Sequence, residues 1–166
     1  MTPAPLDSMN LQAIGVIHSS HRQAEGTPIQ PVFAEHSHGF VEVFSSFVDG
    51  LQDLEGFERI WLIYRLHKAA AGPLRVIPFR DTTERGVFAT RSPCRPNSFG
   101  ISCVRLISIH ENELHISDVD ILDGTPLLDI KPYVPRFDAF PNSRAGWLDQ
   151  DFTDRTRADS RFDPPR

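Results

Sequence analysis

Hydrophobic positions along the chain fall into short runs separated by polar stretches rich in proline and glycine. Leu11–Ile17 predicts a first strand, apolar and β-branched toward its end. Residues 18–39 are polar, carry Pro28 and Pro31 and have no useful period; a loop of that length inside a small domain often carries function. Phe40–Phe44 predicts a second strand, and the Asp49 start and Gly56 stop around residues 49–55 suit one or two helical turns. Phe57–Leu66 is the most apolar run and predicts a strand buried on both faces. Gly86–Thr90 predicts a short strand leading into an irregular loop over residues 91–98. Ile101–Ile109 alternates, with Ile101, Cys103, Ile107 and Ile109 on one face. After a turn at Asn112, the apolar phase slips from Leu114 and Ile116 to Val119 and Ile121, which predicts a β-bulge near Ser117. Asp123–Pro126 is a turn by composition and Leu127–Val134 is extended. Phe40, Phe44, Phe47 and Phe57 are assigned to the core.

Many short strands, closely spaced turns and little helical period predict a mainly β protein, a single β-barrel domain with short helices. Residues 1–10 form an N-terminal tail, 11–141 the barrel and 142–166 a charged C-terminal tail expected to pack on a second subunit. Strands do not alternate with helices, and no Gly-x-Gly-x-x-Gly follows a strand, so a Rossmann-type nucleotide fold is not expected.

Composition narrows the class. The 166 residues are 40% hydrophobic and 23% charged, typical of a globular domain. No apolar run approaches the ~20 residues that cross a bilayer, and Met1–Asn10 lacks a secretory pattern, so no membrane partner and a cytoplasmic location are expected. Two cysteines, Cys94 and Cys103, make neither a disulfide framework nor a zinc site, and the histidine spacing supports no metal. Net charge is −5, yet residues 75–105 hold six arginines against two acids, suggesting a focused anion site within an acidic protein.

The chemistry concentrates in Gly86-Val-Phe-Ala-Thr-Arg-Ser-Pro-Cys-Arg-Pro-Asn-Ser-Phe-Gly100. Pro93 and Pro96 lock φ and push Ser92 and Arg95 toward extended geometry, leaving a stiff frame that carries Arg91, Arg95 and Asn97. Such a frame suits a preformed pocket for an anionic or amide-rich ligand; an arginine-rich surface turn is the simpler alternative. Asp120-Ile-Leu-Asp-Gly-Thr-Pro126, continuing through Asp129, Lys131 and Tyr133, is a second candidate: its acids can orient a ribose hydroxyl or amine, or merely cap the turn.

The segment Gly86–Gly100 resembles the signature of the TsaA-like (TrmO) family of tRNA methyltransferases. Ile14-Gly-Val-Ile-His-Ser19, Leu54-Glu-Gly-Phe-Glu-Arg-Ile-Trp61 and Asp120–Val134 match further blocks of that family, in order. The resemblance implies a non-Rossmann barrel that binds S-adenosylmethionine, forms a homodimer and methylates N6 of threonylcarbamoyladenosine beside the anticodon of a threonine tRNA. It places the cofactor at Pro28, Ile29, Gln30, His67, Lys68, Arg91, Ile101, Asp120, Ile121, Leu122 and Asp123. Ile29 stands where the family carries an arginine, which suggests a backbone contact there. Arg95, Asn97, Lys131 and Tyr133 are expected at the modified base and nearby phosphates. Asp129, Asp123 and His67 are unranked candidates for the base. Cys94 replaces a frequent histidine and Ser98-Phe99 replaces Pro-Ile, loosening the second half of the loop. Larger members carry a C-terminal extension, and this chain is expected to lack one. A methyltransferase for another RNA or a small molecule, and a noncatalytic barrel that binds S-adenosylmethionine or a nucleotide, are the alternatives.

Overall fold

A computed structural model describes residues 9–150, 153–159 and 162. Six strands close into an antiparallel barrel: β1 (Gly15–Ser19), β2 (His38–Val43), β3 (Arg59–Arg65), β6 (Phe99–His110), β7 (Glu113–Ser117) and β8 (Thr125–Pro132), in the order β1-β2-β7-β6-β3-β8. A two-stranded ribbon of β4 (Arg75–Val76) and β5 (Arg85–Gly86) lies apart from it. Closure removes every free edge among the six strands, so their ladder groups are paired within the barrel. Period-two alternation fills the interior with Ile17, Val41, Val43, Ile60, Leu62, Val104, Leu114, Ile116 and Leu127, each at most 1% exposed. No helix among the described residues is long and apolar enough to cross a membrane.

Several expectations are corrected. The first strand begins at Gly15, not Leu11, which is exposed. β3 is buried on one face: Ile60, Leu62 and Tyr64 point inward, while Trp61 and Ile63 sit half-exposed on the outer wall. The inward face of β6 is Ser102, Val104 and Leu106, so the apolar alternation of Ile101 and Cys103 marks the outer wall instead. Residues 87–89 form a 3-10 turn after the two-residue β5 rather than a strand. The phase slip after Ile116 is not a bulge in β7. That strand stops at Ser117, and Asp118 adopts φ 64°, a left-handed conformation that aspartate tolerates better than most residues. The irregularity lies on β6, between Leu106 and Ser108. Of the four phenylalanines assigned to the core, only Phe47 packs against it; Phe44 and Phe57 are exposed, and Phe40 is half-buried on the outside.

The described residues of the C-terminal tail pack on their own chain. Ala158 accepts from the Gly26 amide at 2.8 Å, Thr156 from Ile29 at 3.0 Å, and Ala158 donates to the Thr27 carbonyl at 2.8 Å. Arg157 pairs with Pro28 as an isolated antiparallel bridge. Arg80 donates to the carbonyls of Thr153 and Arg155, and Phe79 meets Phe162 edge-on at 5.2 Å. The tail thus clamps residues 26–29 of the long loop. Deleting residues 151–166 is expected to abolish hydrogen-exchange protection at the Gly26 and Ile29 amides while leaving Val41 in β2 protected. Unchanged protection at residues 26–29 would show that the clamp is not what orders this loop.

Candidate functional site

Four segments meet at one end of the barrel: the long loop after β1, the rim after β3, the 91–98 hairpin and the turn after β7. The turn after β7 places Asp120 beside the inner wall, where Ser102 Oγ donates to its Oδ1 at 2.6 Å. The Tyr64 hydroxyl lies 3.0 Å from the same Ser102 oxygen, making a buried chain of three oxygens. The ring of Tyr64 fits because Gly100 faces it: a Cβ at Gly100 would lie 2.1 Å from Tyr64 Cε2. Burial pushes the Asp120 carboxyl up to about 7, against the opposing hydrogen bond from Ser102 and the positive field of Arg91. Burial, with the Asp120 charge second, holds the Tyr64 phenol well above its ordinary range. Asp120 has no ion-pair partner among the described residues. A half-buried carboxylate without a contacting cation is an unfavourable feature that a cationic ligand would relieve.

Asp123 is used differently. Its Oδ1 accepts the Ser19 amide at 3.1 Å, and its Oδ2 receives the Arg22 guanidinium. With the Asp123 amide donating to His21 O at 2.8 Å, this residue ties the start of the long loop to the turn. Gly124, at φ 75°, completes that turn and returns its amide to Ile17 O. Ile121 is buried in the core, with Leu122 half-buried beside it, so any ligand contact by Ile121 is through its backbone.

His67 and Lys68 follow β3 onto the same rim. The Thr125 hydroxyl donates to Leu122 O at 2.6 Å, so its oxygen is left to accept from His67 Nδ1, 3.3 Å away. That assignment puts the imidazole proton on Nδ1 and leaves the Nε2 lone pair without a partner among the described residues. Partial burial, then the charges of Lys68 and Arg65, lower the pKa of His67 and favour this neutral form. Lys68 Nζ donates to Arg22 O at 2.8 Å. From the opposite side, Arg91 donates to the Gln30 side-chain oxygen, and Gln30 Nε2 donates to Ile29 O at 2.6 Å. Pro28 is buried beneath the tail clamp.

The remaining expected residues lie elsewhere. In β8 the register slips between Leu127 and Asp129 opposite Ile63 and Tyr64, so Leu127 points inward and Asp129 and Lys131 outward. There Lys131 Nζ meets Asp129 Oδ2 at 2.8 Å, beside the outward Ile63 and Ile101. Tyr133 packs edge-on against Trp61 at 5.7 Å. Ile101, 52% exposed, therefore belongs to the outer wall, not to the buried end. Arg95 is turned back into its own loop, donating to Thr90 O at 3.3 Å and Ser92 O at 3.5 Å; it braces the hairpin. Asn97 is exposed at the tip.

The arginine-rich stretch does not form one anion patch. Arg75 pairs with Glu84 at 2.7 Å, Arg85 with Asp81 at 2.8 Å and Arg105 with Glu58 at 2.7 Å. Sequence reasoning missed Tyr64 and Ser102, which read as ordinary strand residues. Their only advance signal was a hydroxyl at an inward position of an otherwise apolar strand.

A small closed antiparallel barrel with a charged loop rim around a half-buried carboxylate is a β-barrel of the non-Rossmann kind with a polar site at one end. The family model described as the tRNA-methyltransferase O N-terminal domain matches residues 16–139, and the chain belongs to that family. It is 38% identical to an S-adenosyl-L-methionine-binding protein of Archaeoglobus fulgidus, over 78% of this chain and 93% of that protein. It is 33% identical to a tRNA (adenine(37)-N6)-methyltransferase of Escherichia coli strain K12, over 86% of this chain and 65% of that enzyme. Among solved structures, TrmO from Pseudomonas aeruginosa superposes with a TM-score of 0.70 at 38% identity, over 84% of this chain and 62% of that one. The chain thus spans just under two thirds of the last two.

Proposed function

We propose that the protein is an S-adenosylmethionine-dependent tRNA methyltransferase that transfers a methyl group to N6 of threonylcarbamoyladenosine in the anticodon loop of threonine tRNA. The observation that carries this reading is Asp120, a half-buried carboxylate lacking a cation in contact. Membership of the family supports it independently. The donor set fits the cofactor: an uncompensated carboxylate for a sulfonium charge, the Arg91–Gln30 pair and the 28–30 backbone for polar edges, and the His67–Lys68 rim. When bound, S-adenosylmethionine supplies an electrophilic methyl group.

The chain's own residues then have to align acceptor and donor in line, which can contribute roughly 7–11 kcal/mol of the barrier, and remove one proton. As N6 gains the methyl group that the cofactor would supply, its proton would leave to a base of this chain. His67 is the best-placed of the three base candidates, because its Nε2 has no partner among the described residues and its neutral form is favoured. Asp123 has both oxygens engaged, and Asp129 is paired with Lys131 on the outer wall. Asn97 would reach the RNA from the loop tip, and Asp129, Lys131 and Tyr133 would reach it only from the border of the subunit seam that the same outer wall forms.

The protein is proposed to work as a cytoplasmic homodimer, joined through the outer wall of β3, β6 and β8. The exposed Phe99 and Ile101 beside Trp61 and Ile63 support that face. Calorimetry should detect S-adenosylmethionine binding, and incubation with tRNA carrying threonylcarbamoyladenosine should add 14 Da to that nucleoside in mass spectra. A noncatalytic S-adenosylmethionine-binding role is the second reading, favoured by the description of the Archaeoglobus relative. Binding without any methylated nucleoside would select it.

A further inference from the structure

A groove of about 460 Å³ opens beside the Asp123 turn, bounded by His18, Ser19, Arg22, His38, Phe40 and Asp123. It shares Asp123 with the rim described above, but Asp120, His67, Lys68 and Arg91 do not line it. Three features make it a built surface. First, His18 and Phe40 are cross-strand partners on β1 and β2 with rings stacked at 4.6 Å and 20°. Phe40 also partners His115 on β7 at 6.2 Å, and His115 meets His110 at 5.4 Å, so a ladder of flat rings runs across the outer wall. Second, the His18 imidazole sits between two carboxylates, with Glu42 Oε2 3.6 Å from Nε2 and Asp123 Oδ1 3.6 Å from Nδ1, and its buried Nε2 makes no hydrogen bond among the described residues. Third, Arg22 and Asp123 are paired with each other, so the groove mouth is close to neutral where they meet.

We propose that this groove is a nucleobase subsite: an unpaired base of the RNA substrate, next to the modified adenosine, lies against the His18–Phe40 rings. The inference rests on the RNA substrate proposed above. The volume falls within the range of small-ligand sites. Paired charges disfavour a phosphate and favour a neutral, flat group recognised by stacking and by its polar edge, as unstacked bases are in single-stranded RNA. The ring ladder beyond Phe40 offers further surface to the following nucleotide. A second copy of the chain would need a broad apolar face, whereas this one is concave and flanked by the exposed Glu42 and the half-buried Glu113.

The test uses the full chain with an anticodon stem-loop RNA. Fluorescence anisotropy reads RNA affinity, calorimetry reads S-adenosylmethionine affinity and sedimentation reads oligomeric state. Phe40→Leu should weaken RNA binding about tenfold, with cofactor affinity within twofold of the parent, and Phe40→Trp should restore it, because only the ring is needed for stacking. Photocrosslinking of 5-iodouridine RNA to the unmodified protein should label the peptides that hold His18 or Phe40, a readout that needs no variant to fold. RNA affinity unchanged in Phe40→Leu, with crosslinks elsewhere, would overturn the subsite while leaving the methyltransferase reading intact. A parent protein that binds cofactor but no RNA would remove the substrate reading itself. Loss of dimer without loss of RNA affinity would make the ring ladder a subunit interface instead.

Discussion

At pH 8 an Asp120→Asn variant should be more stable than the parent by up to about 4 kcal/mol, and bind S-adenosylmethionine at least tenfold more weakly. The stability gain follows from the raised carboxyl pKa. Its value moves from 3.8 in the open chain to about 7 in the fold, roughly three units at 1.36 kcal/mol each. Because the folded state holds the proton more tightly, it binds more protons than the unfolded chain between about pH 4 and pH 7. Stability is therefore lost as pH rises through that window and stays low above it. Asparagine keeps an oxygen for the Ser102 hydroxyl and never ionises, so its advantage should be absent at pH 4 and full at pH 8. Urea denaturation at the two pH values checks this directly. The loss of affinity tests the other half: a cationic ligand favours the ionised carboxylate, so binding near pH 6.5 should release a fraction of a proton, seen as a buffer-dependent heat in calorimetry. Equal heats in phosphate and imidazole buffers would remove Asp120 from the cofactor site.

Gly100→Ala should cost about 3 kcal/mol and disable the site together with the fold. The added methyl would lie 2.1 Å and 2.3 Å from two ring carbons of Tyr64. That ring is 6% exposed and packed in the core, so it cannot swing aside as a flexible surface chain would. Displacing it also takes its hydroxyl away from Ser102 and disturbs the hydrogen bond that reaches Asp120. A denaturant midpoint checks the stability. Pairing the variant with Tyr64→Leu separates the two effects: if the clash is with the ring, the alanine should cost little more once the ring is gone. A full additional 3 kcal/mol in the double variant would place the strain elsewhere in the 91–100 loop.

Much of the barrel was legible along the chain because period-two alternation is a local property. Phe40–Phe44, Phe57–Leu66, Ile101–Ile109 and the start of Leu114–Ile121 all announced strands, and the Asp123–Pro126 turn announced itself by composition. Near the mouth, Arg91 and the 120–123 turn stood out by residue type and spacing, whereas Gln30, His67 and Lys68 came forward only through the blocks shared with the family. Tyr64 and Ser102 escaped both. Each is a strand residue whose importance comes from facing Asp120, 56 and 18 positions later in the chain.

Taken alone, the sequence determined that this is a mainly β chain, roughly where its strands run and which loop is stiffened by Pro93 and Pro96, since these depend on residue type and neighbours a few positions apart. Which wall each strand turns inward was decided only by the closed barrel. The slip at Leu128 sends Leu127 into the core and Asp129 and Lys131 outside, and the slip near Ile107 reverses β6 in the same way. A one-residue offset exchanges the two faces of a strand, and that offset is set by its partners across the sheet. The same holds for charge. Arg95 and Asp123 looked free to meet a ligand, yet Arg95 is taken up by its own loop and Asp123 by Ser19 and Arg22 from a distant part of the chain, while Asp120 is left half-buried without a contacting cation among the described residues.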